Sequence, residues 1–178
     1  MTDYPKFRSI PRWNRTFTIS EKIDGTNGLI HISDDGLIQV GSRNRWLSAD
    51  SDNFGFHKWV MDNHDELSAL GSGYHYGEWY GAGIQRTYGL KEKRFALFNT
   101  HKWNDDTKPA CCDVVPTLAI ATGDRLGAAI NATMAQLQES GSMIAPFGNP
   151  EGVIIYSHEA GIYFKKTFEK DDGKWNGR

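Results

Sequence analysis

The stretch TFTISEKIDGTN, residues 16–27, decides how this chain is read. Over residues 16–23 the side chains alternate, with Phe17, Ile19 and Ile23 on one face and Thr18, Ser20 and Lys22 on the other. A period of two predicts a half-buried β-strand. Lys22 sits on its polar face, flanked by Glu21 and followed at once by Asp24 and Gly25. That setting suits a nitrogen nucleophile acting on a nucleotide phosphate, with Asp24 to orient the lysine and Gly25 to let the backbone approach the ligand. Taken alone, the heptad from Glu21 to Asn27 equally fits a solvated strand lysine entering a turn.

Outward from this strand, residues 28–33 and 37–42 alternate on either side of Asp34-Asp35-Gly36, which predicts a hairpin. Asp52 can cap a helix carrying Phe56, Trp59, Val60, Leu67 and Leu70, ended by Gly71 and Gly73. Residues 74–80 and 94–99 read as strands, joined by a polar, glycine-bearing loop over 81–93. A short strand is expected over 114–119. Asp124 can cap a second helix with Leu126, Ile130, Met134 and Leu137 on its apolar face and Gly141 at its end. Residues 151–157 and 161–168 predict two more strands. Residues 1–15 read as an extended lead-in, and 169–178 as a polar, mobile tail. The order predicts an α+β fold of antiparallel β-sheets with flanking helices.

At 178 residues the chain fits one domain, 1–178. A net charge of −2 argues against a uniformly basic nucleic-acid binder and leaves room for a local basic groove. Cys111 and Cys112 are adjacent, a poor disulfide geometry, so a reducing, cytoplasmic location is expected. No membrane association is expected, because no stretch approaches spanning length. The six histidines show no metal-ligand spacing.

Lys22 is followed, in order, by further chemistry-bearing positions on strands or strand ends. Arg43 lies in Gly41-Ser42-Arg43-Asn44, and Glu78 in Tyr76-Gly77-Glu78-Trp79-Tyr80-Gly81. Phe98 lies in Phe95-Ala96-Leu97-Phe98-Asn99, and Glu151 opens Glu151-Gly152-Val153-Ile154-Ile155-Tyr156. Lys165 and Lys166 close the series in Tyr163-Phe164-Lys165-Lys166-Thr167. This order resembles the covalent nucleotidyltransferase superfamily of polynucleotide ligases and capping enzymes. Their motifs run KxDG, an acid after glycine, an aromatic strand, an EGVV-like strand and a final lysine strand. Asn27, five positions after the nucleophile, and the run 76–81 are most similar to ATP-dependent RNA ligases of the nick-sealing, type-2 kind.

The resemblance implies an adenylyltransferase domain of the ligase and capping-enzyme kind, with an ATP-grasp-like architecture. It implies a covalent lysine–AMP intermediate on Lys22, with ATP and Mg2+ (or Mn2+) as cofactors. The 5′-phosphate and 3′-hydroxyl ends of RNA, at a nicked duplex or a broken tRNA, are then sealed in a repair reaction. Free lysine has a pKa of about 10.4, so the nucleophile must lose a proton. A neighbouring cation and partial burial favour that loss. Within the family pattern, Glu21 borders the adenine pocket, unless it is a plain solvated strand glutamate. Arg43 and the terminal lysines neutralise phosphate charge. Glu78 contacts ribose, Phe98 stacks on adenine, Glu151 faces the metal and Asn27 orients the nucleic-acid phosphate.

Two positions depart from the pattern. Asn99 stands where an aspartate is common, and the family's lysine–any–lysine is replaced by adjacent lysines. Neighbours on a strand face opposite sides, so one of Lys165 and Lys166 points into the pocket. Lys166 is the expected one, since Thr167 follows it as a small polar residue follows the family's second lysine. Phe164 then replaces the first. No OB-fold or C-terminal appended domain is expected within these residues, and an accessory protein supplying a missing domain is a possible partner. The alternatives are a minimal ATP-dependent DNA ligase and a degenerate nucleotide-binding module without sealing activity.

Overall fold

In the computed structural model, residues 7 and 9–169 are described. The predicted tail, and most of the lead-in's first residues, lie outside them. Strands β1 (Thr16–Lys22), β7 (Thr117–Thr122), β8 (Gly152–Ser157) and β9 (Ile162–Thr167) form a four-stranded sheet in the order β7-β1-β8-β9. Strands β2 (Thr26–Ile32), β3 (Ile38–Gly41), β4 (Gly73–Gly81), β5 (Lys93–Leu97) and β6 (Cys112–Val114) form a five-stranded sheet in the order β3-β2-β4-β5-β6. Among the described strands every pairing is antiparallel except β5 with β6. The α+β, antiparallel expectation holds, and the 28–42 hairpin is β2–β3.

Each sheet carries its helices on one face. Helix α3 (Leu126–Ser140) packs Leu126, Met134 and Leu137 on Phe17, Ile19, Val153 and Ile155 of the four-stranded sheet. Helices α1 (Phe56–Asp62) and α2 (His64–Leu67) bring Phe56, Val60 and Leu67 onto Ile30, Ile32, Val40, Phe95 and Leu97 of the other. Phe56 meets Phe95 with ring centroids 5.0 Å apart, a tilted pair of the kind that contributes about 0.5–1.5 kcal/mol beyond its buried area. The N-cap position of α1 is Gly55, and Asp52 reaches in from three residues earlier to accept the first-turn N–H groups of His57 and Lys58 at 2.8 and 3.1 Å. Asp124 does not do this for α3. Its carboxylate takes the Thr122 hydroxyl instead, and no side chain caps that helix.

The five-stranded sheet is an insertion between β1 and β7. The chain leaves the four-stranded sheet at Ile23-Asp24-Gly25 and returns at Val115-Pro116. The return corrects the single strand expected over 114–119. Proline donates no ladder hydrogen bond, so β6 stops before Pro116 and β7 starts after it in the other sheet. The two crossings lie side by side. Glu21 N–H donates to the Pro116 carbonyl at 2.9 Å, and Ile23 and Val115 share a small core with Tyr80, Tyr88 and Ala96. A lysine placed one residue before a crossing therefore stands where both sheets end.

Candidate active site

Lys22 ends β1, on the face away from α3, and its ammonium is 2.5 Å from Glu151 Oε2. Glu151 reaches it because Gly152 bends the start of β8. Gly152 has φ of +145°, and a Cβ there would stand 2.2 Å from the Lys166 carbonyl. Only glycine fits such a position. Asp24 follows on the crossing, with its carboxylate 3.0 Å from Arg86 Nε and its N–H donating to Tyr88 Oη at 2.7 Å. The Asp24–Arg86 contact is an ion pair without hydrogen-bond angles.

Gly25 serves a close approach within the protein. A Cβ there would lie 2.4 Å from the Trp79 carbonyl and 2.9 Å from the Tyr80 Cβ, so β4 packs against this position. That contact lets Gly25 N–H donate to Glu78 Oε1 at 3.1 Å. Asn27, on β2 rather than in a turn, pairs across to Glu78 and exposes its side chain.

Glu78 is buried, and its pKa is pushed up from 4.5 to about 7. Burial is the main cause; the Lys22 charge and the Gly25 N–H pull it down, while Glu151 and Asp24 push it up. Lys22, Asp24 and Glu151 therefore all bear electrostatically on Glu78. Between about pH 4.5 and 7 the folded protein holds a proton on Glu78 that the unfolded chain has released. Stability therefore falls as pH rises through that window. Glu78→Gln, uncharged throughout, is expected to remove this slope and to gain on the order of 1–3 kcal/mol above about pH 7.5. Thermal unfolding of both proteins across that range measures it, and parallel curves would contradict an elevated carboxyl.

Phe98 directly follows β5 and extends its pairing, donating its N–H to the Tyr76 carbonyl at 2.9 Å. It is 36% exposed, so it is not a core aromatic. Asn99 closes the next turn, its Oδ1 accepting the His101 and Lys102 N–H groups. Arg43 lies on an exposed turn after β3, where Gly41 bridges Trp46. Among the described residues no hydrogen bond or ion pair joins Arg43 to the Lys22 cluster.

Two expectations need correction. Glu21 is 1% exposed and is therefore not a solvated strand glutamate. It pairs with Val153, a core residue, and so lies on the α3 face, opposite Lys22. Its Oε2 accepts the Met143 N–H at 2.7 Å, and burial pushes its pKa up. It anchors the 142–144 segment instead of lining the Lys22 face. The lysine strand is the second correction. Lys166 pairs with Val153 and Lys165 with Ile154, which pairs with Ser20. Opposed residues on paired strands share a face, so Lys165 lies on the Lys22 face and Lys166 on the Glu21 face. The alternation holds in the register, which puts Lys165, and not the expected Lys166, on the Lys22 face.

Sequence reasoning missed Arg86 and Tyr88. Both lie in the 81–93 loop, which is not simply polar, since Ile84 and Tyr88 are fully buried. Gln85, Thr87 and Tyr88 hold positive φ values of 43°, 58° and 52° there, a strained backbone beside the site. Ile84, Tyr88 and Leu90, scattered among polar residues, were the signal for it. Among the described residues no group of three or more His, Cys, Asp or Glu side chains converges as a metal site.

The site thus lies where two sheets join at a lysine–acid–glycine crossing, with carboxylates from β4 and the start of β8. The chain belongs to the RNA ligase family, whose model matches residues 15–171. It is similar in structure to a Naegleria gruberi RNA ligase mutant with ATP and Mn, with TM-score 0.61 and 20% identity over 88% of this chain and 51% of that one. The same ligase with PPi gives TM-score 0.60 and 22% identity over 86% and 50%. A further mutant with AMP and Mn gives 0.59 and 20% over 92% and 57%. The chain spans about half the length of these structures. No curated protein sequence matches it.

Proposed function

We propose that residues 15–171 form the adenylylating domain of an ATP-dependent RNA ligase that seals 5′-phosphate to 3′-hydroxyl ends. The carrying observation is the convergence of Lys22, Asp24, Glu78 and Glu151 where the two sheets meet. Lys22 Nζ attacks the α-phosphorus of ATP. A P–N bond forms as the P–O bond to pyrophosphate breaks. The proton leaving Nζ has Glu151 Oε2 as its nearest acceptor. AMP then passes to an RNA 5′-phosphate, and a 3′-hydroxyl displaces it. Asp24, held by Arg86 and Tyr88, keeps the crossing rigid beneath the reacting lysine. Asn27, exposed beside Glu78, is placed to meet the RNA phosphate.

The donor set fits magnesium or manganese. Glu78 and Glu151 repel one another beside Lys22, and a hard cation that keeps its waters takes one or two carboxylates. When bound, such an ion neutralises charge developing on the phosphates. The Naegleria ligase solved with ATP and Mn supports these cofactors. The free thiols of Cys111 and Cys112 support a reducing, cytoplasmic setting.

Transfer of α-label from ATP to the protein, followed by sealing of nicked RNA, DNA and hybrid duplexes, tests this. Labelling with RNA sealing supports it. DNA-only sealing would make the chain a DNA ligase, and labelling without sealing would leave a nucleotide-binding module. Base recognition has its own test. Phe98→Ala is expected to weaken adenylation about tenfold or more while the melting temperature holds, and Phe98→Tyr to be mild. A melt without selective loss would return Phe98 to a packing role.

A further inference from the structure

The uncovered face of the five-stranded sheet carries a row of aromatic rings that the adenylation chemistry does not use. Registers place Glu78, Tyr76 and Tyr74 along β4, with Asn27, Leu29 and His31 opposite them on β2. All six share the face away from α1 and α2. Tyr74 and Tyr76 are 58% and 56% exposed, and Trp46, beside His31, is 51% exposed. His31 stacks on Tyr74 with centroids 4.3 Å apart, and Tyr74 lies nearly parallel to Tyr76 at 6.5 Å. Phe98, assigned above to the adenine, donates its N–H to the Tyr76 carbonyl, so the row adjoins the nucleotide site without including it.

We propose that this row is a base-stacking track for the single-stranded nucleotides next to the join, on the 5′-phosphate strand of RNA. The inference rests on the ligase reading above. Three observations choose RNA over a protein partner. The track starts at Asn27 and Glu78, so it is continuous with the site where the phosphate would sit. Same-face rows on a strand repeat every two residues, about 6.8 Å, which is close to the pitch of an extended nucleotide chain. The rings bring flat faces and little aliphatic surface, the composition that stacks any base. Charge agrees. Arg43 is exposed in the turn between Gly41 and Trp46, whereas Arg45 is engaged by Ser51 and the Asp52 carbonyl. Among the described residues no ion pair holds Arg43, so it is available to a backbone phosphate. Asp34 and Asp35, at the β2–β3 tip, close the far end against further phosphates.

The experiment measures fluorescence anisotropy of a labelled, 5′-phosphorylated, single-stranded oligoribonucleotide on the whole chain, with ATP labelling run in parallel. Tyr74→Ala is expected to weaken binding about tenfold. Tyr74→Leu should weaken it similarly, because bulk without a planar ring does not stack, and Tyr74→Phe should bind as wild type. ATP labelling should stay at the wild-type level in all three, since Tyr74 lies outside the nucleotide site. Unchanged RNA affinity in Tyr74→Ala and Tyr74→Leu would overturn the track. So would a loss in Tyr74→Phe equal to that in Tyr74→Ala, which would assign the effect to the hydroxyl. A wild-type dimer that Tyr74→Ala dissolves without changing RNA affinity would make this face a protein interface, and would also overturn it. A wild-type protein that binds RNA through Tyr74 but takes no label from ATP would retain the track and reject the ligase reading.

Discussion

Lys22→Ala is expected to take no detectable AMP label from ATP, while wild-type protein with magnesium becomes covalently labelled. The whole covalent route passes through one nitrogen, so the loss should be complete and not graded. Lys22→Arg should fail equally, because a guanidinium stays protonated in proteins and offers no lone pair. The Arg result separates charge from nucleophilicity. Arginine can keep an ion pair with Glu151, so a role limited to charge pairing would survive the exchange. The side chain is 21% exposed and ends a strand whose core contacts come from Phe17 and Ile19. Both variants should therefore fold, with melting temperatures close to wild type. Hydroxylamine or acid lability of the wild-type label, typical of a phosphoramidate, identifies the bond. Label retained by Lys22→Ala would remove the lysine mechanism and leave only the fold.

The parts of this molecule that were legible in the sequence are those where a local period reports burial. β1 alternates because one face meets α3, and α3 itself shows its stripe from Leu126 to Leu137. The hairpin is legible because Asp34-Asp35-Gly36 supplies a turn between two alternating runs. How the strands divide between the two sheets was not legible. Nothing local to Ile23-Asp24-Gly25 or Val115-Pro116 says that the chain changes sheets there, although Pro116 marked a break that a single strand over 114–119 could not contain. The Arg86 and Tyr88 contacts with Asp24 bridge more than sixty residues of chain, and positive-φ positions occupied by Gln85, Thr87 and Tyr88 carry no glycine to announce them. The solvated alternative for Glu21 fails for a related reason. Its residue type suggests water, yet its parity puts it with Phe17 and Ile19, and parity is the stronger physical constraint on a strand with one covered face.

The same parity decides the last pair. Lys165→Ala is expected to reduce AMP labelling about a hundredfold or more, and Lys166→Ala to retain most of it. Val153 is fully buried under α3, and Lys166 is its partner across β8 and β9. Its side chain therefore starts toward the helix side. Lys165 lies opposite Ile154, on the face of Ser20 and Lys22, and is exposed toward the site where phosphate charge must be met. A cation placed beside a developing phosphate charge should contribute like an oxyanion donor, roughly 2.7–4 kcal/mol. The register also assigns the second lysine of the family's lysine–any–lysine pattern to Thr167, which pairs with Gly152, itself the partner of Lys22. Thr167→Lys is then expected to raise labelling in the Lys165→Ala background, because it restores a cation to the same face. Single-turnover labelling rates at saturating ATP measure all three. Lys166→Ala as the damaging variant, with Lys165→Ala labelling as wild type, would overturn the assignment that this register makes.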